Sequence, residues 1–294
     1  MLLNQILIKL SKYQMNIAIL YNHPSNYTGG YNYTINIIKI LSVKHNIFLY
    51  CSNYEFPRLS QSLKDVDNVK ISKKKILENT SLIFFISKLF EKLFNSFYFI
   101  DKFLKRDSID IILNSYYYGK YKFIHWFPDF QFIYYPDLFD TKIHKLINKT
   151  KIIYSKAFRV ILSSKSSERD LKKIIQVENK HIIYKFPIYL TLNQKSIIDA
   201  KVLLSKHNIK EYQYIIICNQ FWEHKNHRIF FEAFQKFKNK NKLTLVCTGD
   251  LRDNRTKNNY IKNFTSQNPN IVIFGMIEDY KIVQSLIYLS KAYA

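Results

Sequence analysis

Residues 215–234 read IIICNQFWEHKNHRIFFEAF, so an apolar run, a polar cluster and an amphipathic segment follow one another. The run 213–218 predicts a buried strand, and 226–238 predicts a helix. The polar residues at their junction are Asn219, Gln220, Trp222, His224, Lys225, Asn226 and His227. Ligands of parallel α/β sheets bind at the carboxyl ends of the strands, so the pattern predicts a binding site at this junction.

The same alternation extends along the chain. Strands are predicted at 15–21, 46–51, 109–114, 122–127 and 158–164, with helices at 29–44, 80–106 (one or two), 141–157 and 165–175. After residue 187, helices at 194–207, 226–238, 256–266 and 278–290 alternate with strands at 213–218, 243–248 and 271–274. Continuous apolar strands between helices are typical of parallel sheets covered on both faces. We therefore predict an α/β protein with two Rossmann-like domains, 1–190 and 191–294.

The chain of 294 residues is strongly basic, with 45 basic and 22 acidic residues and a formal net charge of +23. Such a charge favours nucleic acid, a membrane surface or an anionic substrate as partner. Alternatively, a compositional drift toward Ile, Asn, Lys, Tyr and Phe raises the charge without any partner. The basic residues are spread along the chain, and Lys73–Lys75 is the only triplet. This spread argues against nucleic-acid binding.

Metal and disulfide chemistry find little support in the sequence. Cys51, Cys218 and Cys247 each close an apolar run, which predicts core thiols. His224 and His227 lie three residues apart, but no third ligand is evident, so we predict no metal site. No secretory signal and no apolar run of about 18 residues occur, which predicts a cytoplasmic protein without a spanning helix.

A second polar junction, HPSNYTGGYNYT (23–34), follows the first predicted strand. Gly29 and Gly30 let the backbone approach a ligand closely and offer N–H groups at a helix N-terminus. That position favours phosphate, although a plain turn before the helix explains the two glycines equally well.

Four ordered stretches resemble glycosyltransferase family 4, the group 1 transferases of GT-B architecture with two facing Rossmann-like domains. These are the Gly-Gly segment that follows the first strand, HWFPDFQFIYYPDLF (125–139), NQFWEHKNHRIFFEAF (219–234), and the segment 247–294 that precedes the family's donor half-site. The resemblance implies transfer of a sugar from a nucleotide-diphosphate sugar to a cell-surface polysaccharide or lipid-linked acceptor. It implies no cofactor besides this donor.

The resemblance also implies roles for single residues. Lys225 corresponds to the basic residue that reaches the donor diphosphate, where a cation stabilises the charge of the leaving group. Asn219 and Asn226 belong to the same substrate-binding segment. Gly29 and Gly30 approach the diphosphate from the facing domain, and Gly249 lets the backbone pass near the nucleotide. We interpret Trp222 as a packing residue.

One stretch departs from the family pattern. Many members carry a His in or just after the Pro-Asp-Phe-Gln segment, but Phe132 follows Gln131 here, and His125 lies earlier within the predicted strand. Asp129 and Gln131 do match. Asp129 is the candidate catalytic residue that positions the acceptor hydroxyl, with a loop cap as the alternative. No strong general base emerges, which is compatible with a retaining transferase whose departing phosphate takes the acceptor proton.

The last stretch stops short of the family's Pro-Ser-x-x-Glu-Gly segment, whose carboxylates hold the ribose and donor sugar. We therefore expect a fragment or a broken gene with an incomplete donor domain, and an inactive relic is an alternative function. We also expect helix 278–290 to leave Ile282, Leu286 and Leu289 uncovered.

The segment FFISKLFEKLFNSFYFIDKFLK (84–105) places apolar residues at helical spacing with lysines between them. This pattern is typical of interfacial helices, which would make the chain a basic peripheral membrane protein at the inner face of the membrane. A buried helix of the acceptor domain gives the same pattern, and we favour that interpretation.

Overall fold

Strands and helices alternate along the chain in a computed structural model, which describes residues 13–23, 28–94, 96–113, 117, 119–139, 141–178, 180–186, 192–237, 242–251 and 258–294. The side chains of Thr28, Leu138, Asn258 and Asn259 lie outside this description. The chain divides into two compact units, Met1–Tyr189 and Leu190–Ala294.

Unit 1 contains a parallel sheet of seven strands in the order β3-β2-β1-β4-β5-β6-β7. The strands are β1 Asn16–Leu20, β2 Asn46–Cys51, β3 Val69–Lys73, β4 Ile111–Leu113, β5 Phe123–Phe127, β6 Arg159–Leu162 and β7 His181–Ile183. In the centre of the sheet, Ile17 of β1 is in register with Ile47 on one side and Ile111 on the other.

Six helices of unit 1 connect these strands: α1 Thr28–Leu41, α2 Phe56–Leu63, α3 Leu82–Phe94, α4 Tyr98–Arg106, α5 Ile143–Lys156 and α6 Lys165–Ile174. Ile17 and Ile19 of β1 pack in a core with α1 and α2, whereas Ala18 and Leu20 pack in a second core with α4, α5 and α6. Both faces of the sheet are thus covered, which explains the continuous apolar runs of its strands.

Unit 2 contains a parallel sheet of four strands in the order β10-β9-β8-β11. The strands are β8 Tyr214–Cys218, β9 Thr244–Thr248, β10 Ile271–Gly275 and β11 Ala292–Tyr293, and the helices are α7 Gln194–Ser205, α8 His227–Lys236, α9 Asn258–Gln267 and α10 Tyr280–Tyr288. Ile216 packs with α7 and α10, and its neighbour Ile217 packs with α8 and α9 on the other face. The predicted α/β class with parallel sheets is confirmed.

Four elements were not predicted from the sequence: the strands β3, β7 and β11 and the helix α2. The three strands are short or only partly buried edge strands, and β3 carries Lys70 and Lys73. Edge strands need less apolar sequence than central strands, so their pattern is weak. Cys51 and Cys247 are buried as predicted, whereas Cys218 is partly exposed.

One expectation about helix burial is wrong, and a second holds for only one of two helices. Leu286 of α10 and its C-cap residue Leu289 are buried in a core with Ala200 and Leu204 of α7, so the apolar face of α10 is covered. Within 84–105, the buried-helix interpretation holds for α4, whose Phe103 and Leu104 are buried. It fails for α3, in which no described residue is buried.

Candidate functional site

The two polar junctions of the sequence lie at the points where strand order reverses. In unit 1, β1 lies between β2 and β4, and in unit 2, β8 lies between β9 and β11. Connections leave in opposite directions from such neighbouring strands, which opens a crevice at their carboxyl ends. Helix α1 follows β1, and residues 219–226 follow β8. Each unit therefore presents one predicted junction at the position where open α/β sheets bind ligands.

In unit 2, the segment after β8 makes a tight turn before α8 begins. Residues Glu223–Lys225 form a 3₁₀ turn, in which the Lys225 amide donates to the Trp222 carbonyl at 2.9 Å. Asn226 then takes the left-handed conformation, with φ 51° and ψ 43°. Asparagine tolerates this conformation better than most residues. The half-buried Lys225 consequently lies two residues before α8 begins, next to the positive end of the α8 dipole, where an anion is favoured.

Gly249, at the end of β9, is close to the backbone of Asn219. A Cβ at Gly249 would lie 2.3 Å from the Asn219 carbonyl oxygen, and the residue has φ +154°. The Asp250 amide donates to the Gln220 side chain at 2.9 Å, and the Gly249 amide donates to the Gly275 carbonyl at 2.9 Å. Because Gly249 has no side chain, the carbonyl group of Asn219 can lie against its backbone. These contacts connect the segments that follow β8 and β9.

The two histidines of this segment occupy apolar surroundings. His227 is 1% exposed, and neither of its ring nitrogens forms a hydrogen bond with any residue that the structure describes. Its ring packs 4.6 Å from the Phe221 ring, between centroids. Burial lowers the pKa of His227 to about 4, and the charge of nearby Lys225 adds to this shift. His224 packs near Trp222, with ring centroids 5.5 Å apart. Among the described residues, no group of three His, Cys, Asp or Glu side chains converges as a metal site would require.

In unit 1, Gly29 and Gly30 form the first turn of α1 rather than a loop. Neither glycine has a positive φ. Gly30 is buried, and its carbonyl accepts a hydrogen bond from Thr34 Oγ1 at 2.9 Å. Their amides belong to the N-terminal turn, as expected for an anion-binding position. Residues 24–27, between β1 and α1, lie outside the described residues.

Asp129 and Gln131 lie just beyond β5, which is separated from β1 by β4. Asp129 Oδ1 accepts a hydrogen bond from the Gln131 amide at 3.1 Å, at the start of the 3₁₀ turn Gln131–Ile133, whose N-cap is Phe130. The Asp129 residue is exposed. This bond to the loop backbone is compatible with the loop-cap alternative, and the acceptor-positioning role of Asp129 stays a prediction.

Phe132, which stands where the family pattern has a histidine, belongs to a group of aromatic side chains around this turn. The Phe132 ring packs between Phe130 and Phe139, at centroid distances of 6.1 and 6.3 Å. His125 lies inside β5, is buried, and packs 4.4 Å from the Phe127 ring between centroids. His125 is thus part of the strand interior rather than of the carboxyl edge of the sheet.

Sequence reasoning missed a polar cluster at the carboxyl ends of β1 and β2, made of Tyr21, Tyr31, Glu55 and Arg58. Tyr21 follows β1 directly, and Glu55 precedes α2. The Arg58 guanidinium lies 3.7 Å from the centroid of the Tyr31 ring. The Tyr21 hydroxyl and Glu55 Oε2 are buried and have no hydrogen-bond partner in the described part of the chain.

Burial raises the pKa of Glu55, while the charge of Arg58 opposes this shift. Burial also raises the pKa of Tyr21, and the Glu55 carboxylate adds to that effect. A carboxylate oxygen and a phenol without partners can accept and donate hydrogen bonds to a bound hydroxyl compound. Glu55 follows the predicted strand 46–51 by four residues, so the rule that drew attention to 219–227 would have identified it as well.

No protein-family model matches the chain, and no curated protein matches it. Solved structures do match over most of its length. The chain is 13% identical to Anabaena Alr3699/HepE in complex with UDP and glucose, with a TM-score of 0.62, covering 93% of this chain and 72% of that one. For sucrose-phosphate synthase (tll1590) from Thermosynechococcus elongatus, the identity is 12%, the TM-score 0.63, and the coverage 95% and 75%. For the lipopolysaccharide outer core galactosyltransferase WaaB, the identity is 14%, the TM-score 0.54, and the coverage 95% and 73%.

These likenesses show the fold. The chain has the GT-B fold of two Rossmann-like units, as predicted. The same fold occurs in UDP-GlcNAc 2-epimerase from Neisseria meningitidis bound to UDP-GlcNAc, with 12% identity and a TM-score of 0.56. Since transferases and an epimerase share this architecture, the reaction has to be argued from the residues of the site.

Proposed function

We propose that the chain is a retaining glycosyltransferase of family 4 that transfers a sugar from a nucleotide-diphosphate sugar. The observation that carries the proposal is the position of Lys225, half-buried at the strand-order reversal of unit 2 and just ahead of the N-terminus of α8. A cation and a helix N-terminus at one point favour a diphosphate. Two of the similar structures bind UDP compounds, which supports a nucleotide sugar as the ligand.

In the proposed reaction, the bond between the sugar C1 and the β-phosphate oxygen breaks, and the electron pair stays on the phosphate. Lys225 stabilises the negative charge that develops there. The acceptor oxygen forms its bond to C1 on the same face, and its proton passes to the departing phosphate. Asn219, Asn226 and Gly249 are proposed to shape the nucleotide site. No protein general base is needed for this proton balance.

We further propose that unit 1 binds the acceptor, a cell-surface polysaccharide or a lipid-linked sugar. Glu55 Oε2 and the Tyr21 hydroxyl are buried at the carboxyl edge of this sheet and form no hydrogen bond with the described residues, which suits the hydroxyl groups of a sugar. Asp129 and Gln131 are proposed to position the acceptor, and the hydrogen bond from the Gln131 amide to Asp129 Oδ1 orients this carboxylate. Gly29 and Gly30, in the first turn of α1, are proposed to offer their amides to a phosphate group. The galactosyltransferase WaaB, with a similar fold, acts in the lipopolysaccharide outer core, which supports this class of acceptor.

The test of the function is turnover of a panel of nucleotide sugars with Lys225→Ala. Loss of one preorganised charge donor removes roughly 2–4 kcal/mol of transition-state stabilisation, so kcat/KM should fall about 30- to 1000-fold. The matched control is Lys236→Ala, which removes an exposed lysine at the other end of α8 and should leave turnover unchanged.

Three outcomes contradict the proposal in different ways. Conversion of the donor to its C2 epimer without sugar transfer would assign the epimerase reaction instead. Donor binding without turnover would indicate an inactive relic. Equal turnover by Lys225→Ala and the parent would show that Lys225 does not stabilise the leaving group.

A further inference from the structure

Helix α3 (Leu82–Phe94) exposes a continuous apolar face, which we call the α3 stripe. Its residues are Leu82, Phe85, Ile86, Leu89 and Leu93, and their exposed fractions range from 44% to 76%. They recur at intervals of three and four residues, so they share one side of the helix. Five large apolar side chains on one face form the kind of contiguous patch that marks an interaction surface.

The opposite side of α3 attaches the helix to unit 1. Phe84, Ser87 and Phe90 are partly buried, and the Phe90 ring lies 5.7 Å from the Phe99 ring of α4 between centroids. The helix also packs on the 3₁₀ turn Lys75–Leu77. The α3 stripe therefore points away from the side of the helix that holds it, and its exposure is a property of the folded unit.

Charges around the stripe have one predominant sign. Lys88 and Lys92 flank it on the side of Phe85, and Glu91 lies on the packed side, with only 16% of its side chain exposed. Glu91 binds Lys88 at 2.7 Å, and Lys149 of α5 lies near enough to interact electrostatically with Lys88. The sequence between residues 70 and 106 contains nine basic and three acidic residues.

We propose that the α3 stripe docks the chain on the surface of an anionic lipid bilayer. The apolar side chains would enter the boundary between headgroups and acyl chains, and Lys88 and Lys92 would lie among the lipid phosphates. The lysines beside the α3 stripe favour anionic lipid over a second copy of the chain. A two-fold contact through this face would bring the same lysines of both copies together, and their charges would repel. None of the described helices is long and apolar enough to cross a membrane, so the contact is with one face of the bilayer.

The test is co-sedimentation with vesicles of phosphatidylcholine alone and of phosphatidylcholine with 30% phosphatidylglycerol. We expect binding to the anionic vesicles only, with a steep decrease between about 50 and 300 mM salt. Phe85→Ser/Leu89→Ser should weaken binding at least tenfold. Lys88→Gln/Lys92→Gln should weaken it about tenfold and flatten the salt dependence.

The matched control is Ile198→Ser/Val202→Ser, which removes two exposed apolar residues with the same spacing from α7. It should bind vesicles like the parent. Far-ultraviolet circular dichroism verifies that each variant is folded, and light scattering measures the oligomeric state without vesicles.

The proposal is overturned if the parent does not bind, if it binds both vesicle types equally, or if Phe85→Ser/Leu89→Ser binds like the parent. A dimer that this variant abolishes, together with absent vesicle binding, would assign the α3 stripe to a second copy of the chain.

Discussion

At the scale of single residues, His227 makes the stability of the protein depend on pH. The folded state holds its pKa near 4, because the ring is buried, whereas an unfolded chain has the ordinary value of about 6.5. Between these values the unfolded chain binds a proton that the native state does not bind. The stabilising contribution is therefore complete above pH 6.5 and decreases as the pH falls toward 4, by about 3 kcal/mol.

His227→Phe should remove this dependence, since Phe221 and Phe231 already provide apolar neighbours for the ring. We expect the variant to unfold at a similar denaturant concentration as the parent at pH 7.5 and at a higher one at pH 4.5. Burial also lowers the pKa values of His23 and His45, and hydrogen bonds from Arg106 and Lys172 lower those of Asp107 and Glu168, so the variant should keep a smaller residual slope from these groups. Parallel pH profiles for variant and parent would show that His227 protonates freely in the native state.

Gly249 and Gly275 allow a comparison of two kinds of backbone constraint. Gly275→Ala meets no atom within 4 Å but has φ +74°, so it should cost about 1–2 kcal/mol of unfolding free energy. Gly249→Ala adds the collision with the Asn219 carbonyl, so its cost should be larger, at about 3 kcal/mol or more. Urea unfolding measures both variants. Equal costs would mean that the segment after β8 yields to the new Cβ.

At the scale of elements, α7 and α10 form the cover of one face of the unit 2 sheet. Ser285 of α10 donates to Ser196 of α7 at 2.9 Å within the buried contact. Leu286 is fully buried beside Ala200 and Leu204, so Leu286→Ala should cost about 2–5 kcal/mol of unfolding free energy. Val202→Ala, on the exposed side of α7, should cost less than about 0.5 kcal/mol. A small effect of Leu286→Ala in urea unfolding would support the uncovered face that the sequence suggested.

At the scale of the whole molecule, the GT-B fold persists at 12–14% identity because it depends on few sequence features. Parallel strands need buried apolar runs, and the reversal of strand order creates a crevice whatever side chains surround it. The fold therefore determines where ligands bind, and a few residues determine the chemistry. The basic residues behind the charge of +23 are spread over both units, and Lys88 and Lys92 lie beside the exposed apolar α3 stripe. Basic residues beside an apolar helix face are typical of helices that bind anionic membranes.

The sequence by itself determined the α/β class, the central strands and the positions of the polar junctions after β1 and β8. These features can be predicted because apolar runs and helical periodicity depend only on residues that are close together in the sequence. The edge strands β3, β7 and β11 escaped prediction, since partial burial leaves a weaker pattern.

Only the tertiary structure decided which distant residues meet. Asn219 contacts Gly249, which lies thirty residues later in the sequence. Tyr21 and Glu55 approach each other because β1 and β2 are neighbours in the sheet. It also decided burial. Helices α3 and α10 both have an apolar side, but α7 covers that of α10, while the α3 stripe stays exposed. Periodicity shows that a helix has an apolar face; what covers that face depends on the packing of residues far away in the chain.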